Sequence, residues 1–214
     1  MGMTSTALDG VQRSIIAMAA AIADGDPHQL DARVRAVVAA GTPPLAIDEL
    51  LLQSVLTVGW PRTLVAAGAW RAAIGQPAAN GATDLDYAEH ATWTHRGEVT
   101  CATIYGDHYP KLRANVRALH PALEAWMVTE GYGRTLSRPG LDLKWRELCT
   151  VAQTAVLHTP RQLHSHLLGA LRAGATFAEV EATLDLVDSM LPQAERDQVT
   201  VLWHRVRAAW STGG

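Results

Sequence analysis

The stretch DLKWRELCTVAQTAVLHTPRQLHSHLLGALRAGAT, residues 142–176, spells two antiparallel helices and a tight turn between them. Small and apolar residues recur at helical spacing as far as His158. Thr159 is suited to cap a second helix, Pro160 to open it, and Gly174 to end it in the left-handed conformation. On the first helix Glu147, Val151, Thr154 and His158 share one stripe, because residues three or four apart are neighbours on a helical surface. On the second, Leu163, His166 and Ala170 share a face, and His164 points elsewhere. Measured from the turn, Glu147 and His166 differ in height by roughly 7 Å, a gap that tilted helices and two long side chains can close. The spacing predicts that a carboxylate and an imidazole meet inside this hairpin.

The surrounding chain reads the same way. It is rich in Ala and Leu, holds a single Phe and has few alternating Val or Ile runs, which points to an all-α protein. A net charge of -3 and scattered arginines leave no basic block for nucleic acid. Cys101 and Cys149 stand far apart with no second thiol nearby, so they form neither a redox nor a zinc motif and suit a reducing compartment. The longest apolar run, Ile15 to Ala23, falls far short of the roughly 20 residues of a membrane span, and no leader-like segment precedes it. The expectation is a soluble, cytoplasmic protein with no membrane partner.

In chain order, a loose arm ends in a cap at Ser5 or Asp9, and a first helix runs to Asp24. A second opens at Asp26 and Pro27 and stops at Gly41. A third follows Pro43 and Pro44 to Gly59, and a fourth runs from Pro61 to Ile74. Gly75 to Asp84 reads as the linker between an N-terminal helical repeat, 1–76, and a C-terminal unit, 84–214. Beyond it are helices over Tyr87 to Tyr105, to Leu119, and from Pro121 through Met127. A loop over Gly131 to Gly140 follows, carrying Tyr132, Arg134 and Arg138, and after the hairpin come two helices, Phe177 to Met190 and Pro192 to Trp210.

A shift of 133 residues pairs Arg13, Ala19, Pro27, Gln29, Leu30, Ala40, Gly41 and Leu51 with Arg146, Ala152, Pro160, Gln162, Leu163, Ala173, Gly174 and Leu184 without a gap. The eight identities fall on caps, stops and packing positions over 39 residues, as an internal duplication would leave them. Ser14 pairs with Glu147 and Arg33 with His166, so the first copy lacks the acid–base pair.

These residues resemble the carboxymuconolactone decarboxylase family, which shares its helical fold with the alkylhydroperoxidase D proteins. The likeness is carried by Tyr105–Gly106, Leu119 to Pro121, Tyr132–Gly133, Arg138 to Leu141, Arg146 to Leu148, Gln162–Leu163, His166 and Gly169 to Thr176, and by the Gly59–Trp60–Pro61 turn of the first copy. The resemblance implies an all-α fold of two degenerate repeats. In the peroxidase branch it places a glutamate at Glu147, a histidine at His166 and the redox thiols at Thr159 and Gln162. Neither Thr nor Gln forms a thiolate or a disulfide, so thiol peroxidase chemistry of that type is excluded. In the decarboxylase branch the histidine is again His166, and no metal or organic cofactor is implied.

The function so implied is a cofactor-independent lyase acting on a small cyclic carboxylate or lactone. His166 serves as proton source and Glu147 orients it. A departing carboxylate needs a cation, for which Arg138, Arg134 or Arg146 are candidates, and the oxyanion needs a donor, for which Tyr132 is one. Against this stand structural roles: a core histidine for His166, a first-turn carboxylate for Glu147, and a scaffold role for Arg146, shared with Arg13. The alternatives are isomerisation, cyclisation or lactone opening by the same pair, or a small-molecule-binding protein without catalysis. His158, His164 and His166 lack the spacing that puts two imidazoles on one face, so no metal site is expected. The resemblance also implies a homo-oligomer, for which a trimer is the expectation.

Overall fold

The computed structural model describes residues 7–77 and 85–213, and every element among them is helical. Helix α1 (Gly10–Asp24) starts at a reciprocal cap between Asp9 and Gln12, and α2 (Pro27–Ala39) starts under the Asp26 side chain. The segment α3 (Pro44–Ile74) is two helical stretches that meet at a kink where the sequence places the break: Gly59, at φ 72°, ψ 175°, leaves helical geometry just ahead of Trp60 and Pro61. The Ser5 alternative and part of the proposed linker, 78–84, lie outside the described residues.

A short turn, Tyr87–Glu89, leads into α4 (His90–Tyr105), followed by α5 (Tyr109–Leu119) and α6 (Pro121–Trp126). The central hairpin is α7 (Leu143–Val156) and α8 (Pro160–Arg172), and α9 (Phe177–Asp188) and α10 (Gln193–Gly213) close the chain. Thr159 does not cap α8: its hydroxyl donates back to the Thr154 carbonyl, and Pro160 opens the helix without a side-chain cap.

The duplication is visible in the backbone. At the shift of 133, the turn residues Gly25 (φ 80°) and His158 (φ 52°) coincide in the left-handed region, as do Gly41 (φ 67°) and Gly174 (φ 93°). His158 is the non-glycine residue held there, in a conformation that costs an L-residue about 1–2 kcal/mol. The equivalent helices α1 and α7 lie against each other at the centre. Residues 14–23 of the first and 146–156 of the second are buried on every side. They share one core, in which Ile16, Met18, Ile22 and Leu50 join Leu148, Val151, Leu163 and Trp203.

The expected loop over Gly131 to Gly140 is instead largely a π-helix, Met127–Leu136, continuing α6. Its glycines are there for close packing. A Cβ on Gly133 would sit 1.9 Å from the Trp93 carbonyl oxygen, and one on Gly97 1.9 Å from that of Val128, so the π-helix and α4 cross backbone to backbone. Wide π-turns recur at functional sites.

The two repeats are also tied by charge. Arg146, fully buried, donates to Glu49 Oε2 at 2.8 Å, to Gln53 Oε1 at 3.3 Å, and to the carbonyls of Leu141 and Arg138 at 2.9 and 3.0 Å. Arg138 Nε bridges both oxygens of Glu49 at 3.1 Å. Burial pulls the Arg146 guanidinium below its ordinary range, and Glu49 opposes that shift. Its repeat mate Arg13 is exposed, so the shared arginine is not a shared contact. Glu49→Ala strands a buried guanidinium and should cost about 3–5 kcal/mol, read from urea unfolding of the variant beside the wild type.

Candidate active site

A cavity of about 570 Å³ opens between the repeats. From the first repeat, α3 contributes Gln53, Leu56 and Thr57. From the second, α7 contributes Thr150 and Thr154, and α8 contributes Gln162 and His166. The far wall is α6 and the π-helix, with Leu123, Trp126, Met127, Glu130, Tyr132 and Leu136. The site therefore depends on three segments that are distant in the sequence.

His166 Nδ1 lies 2.9 Å from Glu147 Oε2. The imidazole is 14% exposed and lines the cavity, and the carboxylate behind it is fully buried. In the tautomer that satisfies this contact, Nδ1–H donates to the carboxylate and Nε2 is left to accept a proton from a ligand. This is the juxtaposition the hairpin spacing anticipated, and it gives His166 a polar partner instead of a dry apolar packing site. The second carboxylate oxygen, Glu147 Oε1, is buried with no hydrogen-bond partner in the protein.

The carboxylate fits because α8 carries glycine where it passes. A Cβ on Gly169 would stand 2.3 Å from Glu147 Oε2 and 2.8 Å from Ile104 Cγ2. Helix α4 closes the apolar side of the pair through Ile104, and Arg172 Nη1 holds the Ile104 carbonyl at 2.9 Å.

Tyr132 reaches the cavity wall, but its hydroxyl donates to Tyr105 Oη at 3.1 Å. Burial pushes the Tyr132 phenol well above its ordinary value and the Tyr105 phenol up to about 12, so both are neutral. The three candidate arginines lie elsewhere. Arg138 and Arg146 are engaged with Glu49, and Arg134 packs over the rings of Tyr87 and Trp93 at 4.8 and 4.9 Å and pairs with Glu130 at 3.0 Å. None of them lines the cavity. Arg134 and Arg138 were expected near it because the 131–140 segment reads as a free loop, whereas Arg134 is held by Glu130 within the π-helix, and Arg138, like Arg146, by Glu49 of α3.

Gln162, one helical turn before His166, was not expected to act in the site. Its carboxamide makes no hydrogen bond among the described residues and faces the cavity. The four-residue spacing on α8 was the available signal for it. Gln53, Thr57 and Glu130 left no such signal, because only the folded chain brings them near the hairpin. Thr159 and Gln162, which stand where the peroxidase branch would have thiols, both line the cavity. The two real thiols are fully buried, and burial pushes Cys101 and Cys149 up to about 12.

A two-repeat, all-α architecture with a histidine–carboxylate pair on a hairpin defines the class. The chain belongs to the carboxymuconolactone decarboxylase family, whose sequence model matches residues 1–72 and 121–202. No curated protein matches the chain. Residues 73–120, which hold α4 and α5, fall between the two matched regions, so Ile104 and Tyr105 beside the site come from outside them.

Gly169→Ala should push the Glu147 carboxylate off His166 and lower stability by about 1–3 kcal/mol. Changed His166 ring chemical shifts by NMR, alongside a reduced melting temperature, are the expected pairing of results.

Proposed function

We propose that the chain is a cofactor-independent enzyme of the lyase or isomerase type that moves a proton on a lactone or related cyclic carbonyl compound, with His166 as the proton carrier. The observation that carries this reading is the 2.9 Å contact between His166 Nδ1 and Glu147 Oε2 at the wall of the cavity. Nε2 takes a proton from carbon beside the carbonyl, and the Glu147 carboxylate stabilises the imidazolium that forms. The electron pair left on carbon delocalises into the carbonyl as a dienolate, and the amide of Gln162, which lines the same cavity, donates to its oxygen. Return of the proton from Nε2 to a different carbon of the conjugated system completes an isomerisation. In the decarboxylation for which the family is named, the imidazole enters protonated: loss of carbon dioxide leaves the same dienolate, Nε2–H of the imidazolium protonates its carbon, and water recharges the imidazole.

Two substrates separate the readings: release of carbon dioxide from 4-carboxymuconolactone, and deuterium uptake and double-bond migration of α-angelica lactone in D₂O. His166→Ala should abolish whichever activity the wild type shows. Glu147→Gln should reduce it by about 100-fold, within the usual contribution of general acid–base groups. Wild type no faster than buffer on both substrates would remove the enzymatic reading in favour of a binding protein.

The homo-oligomeric reading is supported by apolar residues exposed on α3 outside the cavity, among them Trp60, Leu64 and Val65. Native mass spectrometry of the full chain should give a trimer, and a monomeric mass at micromolar concentration defeats this reading.

A further inference from the structure

We infer that the cavity takes an uncharged, oxygenated compound of more than one ring and discriminates against carboxylates, an inference that rests on the reading of this cavity as the substrate site. Sixteen of the described residues line it, and none of these is Lys or Arg. Besides the neutral phenol of Tyr132, its titratable members are Glu130, on the wall opposite the hairpin, and His166, which is backed by the Glu147 carboxylate. A substrate carboxylate entering here would meet no cation on the wall: the Glu147 carboxylate stands behind His166, and the guanidinium beside Glu130, that of Arg134, is already paired with Glu130. Its desolvation would go unrepaid. The nearest guanidiniums are held by carboxylates of the protein: Arg134 by Glu130, and Arg138 and Arg146 by Glu49.

The remaining wall suits a neutral ligand. Thr57, Thr150, Thr154 and Thr159 donate their hydroxyl protons to protein acceptors and so offer lone pairs to the cavity, and the Gln162 amide offers a donor. Leu56, Leu123, Trp126, Met127, Leu136 and Leu157 make up an apolar half. The volume of about 570 Å³ lies within the range that accommodates drug-sized ligands, well beyond what one small ring fills. Trp126, 64% exposed at the cavity wall, supplies a flat surface on which a fused ring can stack.

The test is calorimetric binding of coumarin, a neutral two-ring lactone, against coumarin-3-carboxylate, the same skeleton carrying one negative charge, at pH 7.5. Wild type should bind coumarin about tenfold or more tightly than the carboxylate, a difference of about 1.4 kcal/mol or more. Glu130→Gln should narrow the gap, and Gln162→Arg, which introduces a cation at an exposed position on the wall, should invert it. Equal or tighter binding of the carboxylate by wild type overturns the inference, as does failure of coumarin to bind. Because turnover is not read, the two ideas separate: coumarin preference without catalysis defeats the proton-transfer reading alone, and catalysis with a preferred carboxylate defeats this one alone.

Discussion

The contact on which the rest of the structure depends is the buried pair of Arg146 and Glu49. Each group alone would be intolerable at its depth, and together with Arg138 and Gln53 they satisfy one another. Because Glu49 belongs to α3 and Arg146 to α7, the pair sets how the two repeats dock. Glu147 follows Arg146 directly, so the same anchor sets the height and rotation of the site carboxylate. The packing of α1 on α7 supplies the area, and the ion pair supplies the register.

From that anchor the site is built by exclusion of bulk. Glu147 occupies space that Gly169 leaves open, against an apolar wall of Ile104, and His166 reaches across to it from the neighbouring helix. A fully buried carboxylate with a single partner is costly to maintain. It stands directly behind the imidazole that lines the cavity.

The two copies of the repeat keep one backbone and differ at the positions of the acid–base pair. Where α7 has Glu147, α1 has Ser14, whose hydroxyl lies 2.8 Å from that of Thr42, a short contact that needs no gap in the helix opposite. Where α8 has His166, α2 has a half-buried Arg33. The turns kept their left-handed residues in both copies, because backbone geometry constrains them whatever the side chains do. The first copy nevertheless remains part of the site, since Gln53, Leu56 and Thr57 of α3 form the cavity's near wall.

What the sequence by itself determined was whatever is local: a helix start at Asp26 and, as one of two alternatives, at Asp9, stops at Gly41 and Gly174, the repeat, and the meeting of Glu147 with His166 across a short hairpin. These depend on capping, φ and helical periodicity within a few turns. The tertiary structure decided the rest. Gly131 and Gly133 read as loop breakers until the close crossing with α4 shows that they are contact points in a π-helix. Arg134 and Arg138 read as free cations until Glu130 and Glu49, the latter 89 residues away, are placed beside them. The charge of the cavity, and with it the class of ligand it accepts, depends on which side chains three distant segments turn toward one another, and helical spacing alone carries no record of that.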